Sequence, residues 1–233
     1  MSEQTSPTAT AQILVGENGP YEVRGVRVER TRVINDEHGH AREYETYAQV
    51  HDGAEPTWLC RCGHSKNKPF CDGSHHTAGP DGGPFDGTEN APTNTYRERA
   101  EVLGGDGVQV SDDRGICVHA GFCATHGANV WREVKQSQDP QVRDDMTTRI
   151  DKCPSGALTR RPEADAPDDE PDYPRAVHVV ADGPLHVTGR VQVTRADGET
   201  FETRNRMTLC RCGASAIKPL CDGSHAETGF TDS

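Results

Sequence analysis

The sequence predicts an α+β protein made of small β-rich modules, with an insert of mixed helical and extended character between them. Short alternating apolar runs bounded by turn residues, such as Tyr21 to Val28 and Val177 to Val180, are typical of half-buried strands. Between Tyr96 and Arg161 the pattern favours short helices at Ala128 to Gln136 and Pro140 to Ile150. Only 32% of the 233 residues are hydrophobic, so one large core is not expected.

One segment of 17 residues occurs twice, at an offset of 150 residues. Residues 59–75 are LCRCGHSKNKPFCDGSH and residues 209–225 are LCRCGASAIKPLCDGSH, identical at 13 positions. Similar β-rich sequence precedes both copies, with turns at Asn18-Gly-Pro20 and Asp182-Gly-Pro184, so the repeat includes its strands. The first copy carries 14 more residues between turn and motif, which predicts a longer hairpin.

Each copy offers three thiols and one imidazole as metal ligands. Cys60 and Cys62 are one residue apart, so an extended backbone directs both side chains to the same face. Cys71 and His75 share a face if Asp72 begins a helical turn. Each pair can then hold one metal atom. A set of three cysteines and one histidine also occurs in structural zinc sites, although zinc sites usually pair cysteines two to four residues apart.

The full string Cys-x-Cys-x2-Ser-x3-Pro-x-Cys-Asp-Gly-Ser-His resembles the CDGSH (NEET-type) iron-sulfur family at every defining position of both copies. The resemblance covers roughly residues 12–80 and 176–230. It implies one [2Fe-2S] cluster in each copy, and an intramolecular pseudo-dimer of the two copies. The implied ligands are Cys60, Cys62, Cys71 and His75 in the first copy, and Cys210, Cys212, Cys221 and His225 in the second.

The three remaining cysteines lie between the copies. Cys117 and Cys123 are the first and last residues of a run with Ala120 at its centre. Cys153 begins the string Cys-Pro-Ser-Gly-Ala-Leu. Bacterial ferredoxins use Cys-x2-Cys-x2-Cys together with a distant Cys-Pro. The segment therefore resembles the divergent single-cluster ferredoxin domains, with alanine in place of the middle cysteine, and the resemblance implies a third iron-sulfur cluster.

The nuclearity of this third cluster stays open at the level of sequence. Three thiolates suit a [3Fe-4S] cluster, which we favour slightly, whereas a [4Fe-4S] cluster needs a fourth ligand from His119, His126, water or elsewhere. A solvated loop histidine is the simpler interpretation of His119 taken alone. Three structural thiols without a cluster are the other alternative.

These patterns divide the chain into five segments. They are a disordered tail at 1–11, a first CDGSH domain at 12–90, a ferredoxin-like domain at 96–161, an acidic Pro-rich linker at 162–175 that we expect to be solvated, and a second CDGSH domain at 176–233.

Composition narrows the function classes. A formal charge of −12 disfavours nucleic acid as a partner, and no apolar run approaches the length of a membrane span. The odd cysteine count and the lack of a signal peptide point to a reducing cytoplasm rather than to disulfides. The glycine-rich loop at 79–87 lacks the nucleotide-binding fingerprints, and no hydrolytic, flavin or nicotinamide constellation is visible, so we do not expect an enzyme.

We therefore expect one-electron transfer with a redox protein partner. The first alternative is storage or delivery of clusters to an apo iron-sulfur acceptor, or redox or pH sensing. The second alternative is a zinc-stabilised binding scaffold without a redox role.

The histidine ligands predict acid-sensitive clusters. A proton competes with iron for the imidazole nitrogen, so acid below the intrinsic histidine pKa of about 6.5 should speed the loss of visible absorbance. Replacing His75 and His225 together by cysteine should suppress this acid lability, as followed by absorbance after pH jumps. An unchanged pH profile in the double variant would contradict the prediction.

Overall fold

The computed structural model describes residues 10–232. The tail predicted at 1–11 lies outside this range except for its last two residues, of which Ala11 packs against the core. The strands are β1 (Gln12–Val15), β2 (Tyr21–Arg24), β3 (Arg27–Asn35), β4 (Ala41–His51), β5 (Thr57–Leu59), β6 (Glu101–Gly105), β7 (Val108–Asp112), β8 (Ala124–Thr125), β9 (Ala128–Asn129), β10 (Leu158–Arg161), β11 (Ala176–Val180), β12 (Leu185–Thr188), β13 (Gln192–Thr194) and β14 (Arg206–Leu209). The α-helices are α1 (Tyr96–Arg99), α2 (Val130–Glu133), α3 (Pro140–Asp151) and α4 (Ser224–Glu227).

Strands from the two repeats are combined in two sheets. The first sheet has the order β13-β1-β2-β5 and the second β14-β12-β11-β3-β4. β1 of the first repeat runs parallel to β13 of the second, with Ile13 opposite Val193. β3 runs parallel to β11, with Val28 opposite Val177. The second repeat therefore contributes β13 to the sheet of the first, and the first repeat contributes β3 and β4 to the sheet of the second.

The buried faces of these strands form one core. In β2 the side chains of Tyr21 and Val23 are buried whereas Glu22 and Arg24 are partly exposed, as the two-residue period of a strand requires. The core includes Ile13, Val15, Tyr21, Val23, Val28 and Leu59 from the first repeat and Val177, Val179, Leu185, Val187, Val193 and Leu209 from the second. The segments predicted at 12–90 and 176–233 thus share sheets and a core.

The hairpin predicted to be longer in the first repeat is formed by β3 and β4. These strands pair from Val28 opposite His51 to Asn35 opposite Ala41, with register shifts that mark bulges. The second repeat has only short β13 and an isolated bridge between Thr194 and Thr200 at this place. Between Phe201 and the second motif, the only strand within the described residues is β14.

The insert has its own antiparallel sheet, in the order β10-β7-β6. Helix α3 packs against β10, and the buried side chains of Val110, Met146, Ile150 and Leu158 form a second core. The observed mixture of helices and strands agrees with the α+β class. Helix α3 confirms the prediction at 140–150, and the Asp139 carboxylate caps it by accepting from the backbone N–H of Gln141.

The helix predicted at 128–136 is wrong in its first part. Ala128 and Asn129 pair with Ala124 and Thr125 as a short hairpin, and α2 begins only at Val130. The Asn129 side chain accepts from the backbone N–H of Arg132, because asparagine caps a helix better than it continues one. A 3₁₀ turn completes the segment at 134–136.

The acidic linker is bound rather than simply solvated, which corrects the expectation for Asp168 to Glu170. Glu170 accepts a hydrogen bond from Nε of Arg206, whose side chain is only 1% exposed. The same guanidinium donates to the carbonyl groups of Asp151 and Cys153, at 2.8 and 2.9 Å. A buried arginine needs such partners, and they come from both the linker and the insert. Arg206 therefore joins the insert to the second repeat.

A tyrosine of the first repeat braces the motif of the second. The hydroxyl of buried Tyr21 donates to the Cys210 carbonyl at 2.6 Å and lies 3.0 Å from the Pro219 carbonyl. The equivalent position in the second repeat is Leu185, which has no hydroxyl. The brace therefore acts on one motif only.

Replacing Tyr21 by phenylalanine should lower the free energy of unfolding by about 1–3 kcal/mol, because a buried carbonyl loses its donor. Urea unfolding of the iron-loaded chain measures the effect. Tyr47→Phe is the control, since Tyr47 is 51% exposed and its loss of a hydroxyl should change little. Equal midpoints for the two variants would refute the role of the brace.

Candidate metal centres

The ligands predicted in the first motif lie in two pairs. Cys60 and Cys62 leave the end of β5 with their sulfur atoms 3.8 Å apart. Sγ of Cys71 lies 3.4 Å from Nδ1 of His75, which stands in a 3₁₀ turn after Gly73. The left-handed backbone of Gly73, with φ 88°, starts this turn at little steric cost.

The second motif repeats this geometry after β14. The sulfur atoms of Cys210 and Cys212 are 3.6 Å apart, and Sγ of Cys221 lies 3.4 Å from Nδ1 of His225. Gly223, with φ 93°, precedes the helical turn α4 that carries the histidine. The two copies therefore bring together the same donors in the same two pairs.

Residues that are identical in the two motifs but are not candidate ligands stabilise each loop. The Ser65 hydroxyl donates to the Phe70 carbonyl, and the Asp72 carboxylate accepts from the backbone N–H groups of Lys66 and Ser74. A hydrogen bond from the Ser74 side chain, together with these backbone bonds, holds the pKa of Asp72 below its usual range. Ser215 and Asp222 make the equivalent bonds in the second loop. The Ser, Asp and Gly of the motif thus define the loop on which the ligands stand.

Each Cys-x-Cys pair shares a proton between its sulfur atoms. The hydrogen bond from Cys62 lowers the pKa of Cys60 to about 6, and the bond from Cys212 lowers that of Cys210 to about 6. The pKa values of Cys62 and Cys212 are raised by the same interactions and by burial. One thiolate of each pair is therefore available near neutral pH, as metal binding requires.

The arginine inside each Cys-x-Cys is a functional residue that the spacing argument missed. Buried Arg61 donates to the carbonyls of Gly16 and Gly87 and stacks over the Phe85 ring. Arg211 repeats this with the carbonyls of Gly183 and Val180 and with Phe230. Arginine stands at this position in both copies, and that repetition was the available signal in the sequence. Each guanidinium therefore fixes the loops that it bonds beside a Cys-x-Cys pair.

The three cysteines of the insert line one open cavity. Cys117, Cys123 and Cys153 face it together with His119 and Ala120. The backbone N–H of His119 donates to Sγ of Cys117 at 3.4 Å, and the N–H of Leu158 donates to Sγ of Cys153 at 3.5 Å. Burial and the neighbouring thiols raise the pKa of Cys123. The cavity therefore gathers three sulfur donors, with backbone donors behind two of them.

Of the two histidines considered as a fourth ligand, only His119 lies at this cavity. His119 is exposed at the cavity wall with φ 56°, a left-handed conformation rare outside glycine. His126 instead lies beside His38 and His40 of the β3–β4 hairpin, at ring distances of 5.3 and 6.5 Å. His126 is therefore not at this cavity.

Three further residues of the cavity wall were not predicted as site residues. The Asp112 carboxylate accepts from Nε1 of Trp131 at 2.8 Å and from Arg114 at 2.7 Å. The Arg114 guanidinium also stacks over the Trp131 ring, 4.7 Å from its centroid. The spacing of these residues carries no motif, because β7 and α2 meet only in the fold. Arg114 places a positive charge beside thiolates that a cluster would use.

The three sites contact one another in series. Cys62 and Cys212 form an isolated antiparallel bridge, so the backbones of the two CDGSH loops touch. A Cβ atom at Gly63 would lie only 2.5 Å from the Cys212 carbonyl oxygen, and only glycine permits this approach. Val118 of the insert packs with Cys210 and other thiols of the second motif. The second CDGSH site thus lies between the first site and the insert.

The donor sets fit iron-sulfur clusters. All nine cysteines of the chain lie within residues 10–232 and are free thiols. Over the same residues, no three Cys, His, Asp or Glu side chains converge as they would on a single metal ion. Paired donors in each motif suit a two-metal centre, one pair to each iron, and three thiolates around an open cavity suit a larger cluster. Fold and sites together define a metalloprotein with three thiol-rich centres.

Family models built from known proteins match the regions that contain these centres. A family model described as "Iron-binding zinc finger CDGSH type" matches residues 18–76 and 182–226, and one described as "Divergent 4Fe-4S mono-cluster" matches residues 103–162. The chain is therefore an iron-sulfur protein with two CDGSH-type regions flanking a divergent mono-cluster region. No curated protein and no solved structure matches it significantly. Among residues 10–232, no helix is both long and apolar enough to cross a lipid bilayer.

Proposed function

We propose that the chain is a cytoplasmic one-electron carrier rather than an enzyme, and that it serves an external redox protein. Each CDGSH site holds a [2Fe-2S] cluster, and the ferredoxin-like insert holds a [3Fe-4S] or [4Fe-4S] cluster on its three cysteines. The bound clusters supply the one-electron chemistry. The observation that carries the proposal is the contact series, in which the two CDGSH loops touch each other and the insert touches the second.

The protein's own residues shield sulfur atoms of the two CDGSH sites from water and donate hydrogen bonds to them. Phe85 packs over Cys60 and Cys62, and Val118 packs over Cys210 and Cys221. Backbone N–H groups donate to the sulfur atoms, as that of Gly223 does to Cys221 at 3.5 Å. Such hydrogen bonds and burial are the means by which a protein sets a reduction potential. A rigid shell of this kind favours repeated reduction without loss of iron.

Cluster delivery, or redox or pH sensing, is the second candidate function. Cys71 and His75 of the first site are only partly buried, whereas Cys221 is 1% exposed. A partly exposed iron edge is where an apo-protein would take a cluster. This observation favours delivery from the first site only.

Iron and sulfide analysis after anaerobic purification tests the cluster assignment. We expect two irons at each CDGSH site and three or four in the insert, hence seven or eight per chain. Cys153→Ser should remove only the irons of the insert, and Cys71→Ser should remove only two, because each site has its own ligands. EPR distinguishes the [3Fe-4S] from the [4Fe-4S] form. Zinc without sulfide would replace the proposal by the binding scaffold.

Potentiometry with iron counting separates relay from delivery. A relay should pass repeatedly between oxidised and reduced forms with constant iron content. Delivery should instead appear as rapid loss of iron to an apo-ferredoxin, with the acceptor gaining its absorbance. Rapid transfer combined with irreversible reduction would refute the relay.

A further inference from the structure

The two CDGSH sites are identical in their ligands but differ in their surroundings. Gly73 and Gly223 occupy equivalent positions with nearly equal φ angles of 88° and 93°. A Cβ atom at Gly73 would meet no atom within 4 Å. At Gly223 it would lie 3.2 Å from Cδ2 of His119 and 3.3 Å from the carbonyl oxygen of Val118. The cluster loop of the insert therefore covers the second site and leaves the first open.

The burial of the equivalent cysteines follows this contact. Cys71 is partly exposed, whereas Cys221 is 1% exposed. Val118 is itself 6% exposed and belongs to the same apolar cluster as Cys210 and Cys221. The apolar cover of the first site comes from Phe85 and Ala78 of its own repeat.

The strands that precede the two motifs also differ in exposure, and again the first is the more exposed. The carbonyl of Trp58 accepts from the backbone N–H of Cys71, and the carbonyl of Thr208 does the same for Cys221. Trp58 is 49% exposed on the edge strand β5, whereas Thr208 is 2% exposed. Tryptophan is enriched among the residues that dominate binding at protein interfaces. The open site thus presents a large exposed aromatic ring beside its ligand loop.

Three polar side chains beside the first site are replaced by alanine at the second, and one of the three, Lys66, is a cation. His64, Lys66 and His76 surround the first site and are exposed. Alanines 214, 216 and 226 replace them around the second site. In a chain of net charge −12, the exposed Lys66 gives the first site a local positive charge that attracts an acidic protein.

We infer that the two CDGSH sites have divided their roles. The first site is the docking surface for an external acidic redox protein, with Trp58, Lys66 and the exposed side chains of His64 and His76 as its contacts. The second site is covered at Gly223 and Cys221 by the Val118–His119 loop, with Cys212 and His225 still partly exposed, and it lies between the first site and the insert. The inference rests on the proposed electron-carrier function and adds which site meets the partner. Electrons then enter or leave through Cys71 and His75 and pass the Cys62–Cys212 contact.

Timed alkylation of the iron-loaded full chain tests the access of the two sites. With iodoacetamide and a ferrous chelator present, peptide mass spectrometry should find Cys71 modified about tenfold faster than Cys221, because reactivity follows exposure. Gly223→Ala should displace the covering loop and speed modification of Cys221. Gly73→Ala is the matched control, because it introduces the same backbone strain where no covering loop can be displaced, so its effect at Cys71 measures strain alone and should be smaller than the effect of Gly223→Ala at Cys221.

Equal rates at Cys71 and Cys221 would overturn the inference, and so would equal effects of the two alanine variants. The labelling order is measured on thiols, so it can be read even if the purified chain lacks iron. Absence of iron and sulfide would defeat the proposed function alone. Iron-loaded chain with equal labelling would defeat this inference alone.

A small acidic ferredoxin serves as the probe for the docking surface. The triple variant H64A/K66A/H76A carries the residues of the second copy and should slow cluster reduction by reduced ferredoxin about tenfold at low ionic strength, with the difference shrinking as salt is added. Trp58→Thr should slow it at all salt concentrations. Lys135→Ala removes an exposed charge from the insert and is the control. Rates equal to this control would place the docking surface elsewhere.

Discussion

The parallel pairing of strands from opposite repeats is the constraint on which the rest of the structure depends. Parallel strands need a long crossover, and here the connection between β3 and β11 contains the whole insert. The exchange gives the repeats one core and brings the two motif loops together at Cys62 and Cys212. Neither repeat would bury its apolar face alone, since few residues of the chain are hydrophobic.

The insert breaks the pseudo-symmetry that the strand exchange creates. It packs on the second repeat, where β12 and β14 are buried at every position and Arg206 of β14 donates to carbonyl groups of the insert. The Arg206 guanidinium donates hydrogen bonds to carbonyl groups around Cys153, and Arg206 lies four residues before Cys210. The same strand therefore fixes a cysteine of the insert and leads into the second motif. Identical motifs thus acquire different exposure and different neighbours.

The fold also gathers residues that carry no pattern along the chain. His178 and His186 are directly opposite in the β11–β12 pair, with ring centroids 5.5 Å apart. Burial lowers the pKa of both, and that of His186 well below its usual value. Along the sequence they are two unrelated histidines. Only the antiparallel register makes them neighbours.

The sequence by itself determined the chemistry of this protein. Thiol and imidazole spacing, repeated in two copies, predicts the pairs of candidate ligands that the fold brings together, because local backbone geometry suffices to bring residues two or four apart together. Helix α3 and the long hairpin were predictable for the same reason. Only the tertiary structure decided that the repeats exchange strands, that Arg61 and Arg211 brace the loops, and that the second site lies between the first site and the insert. These features depend on contacts between residues far apart in the chain, which local propensities and spacing do not encode.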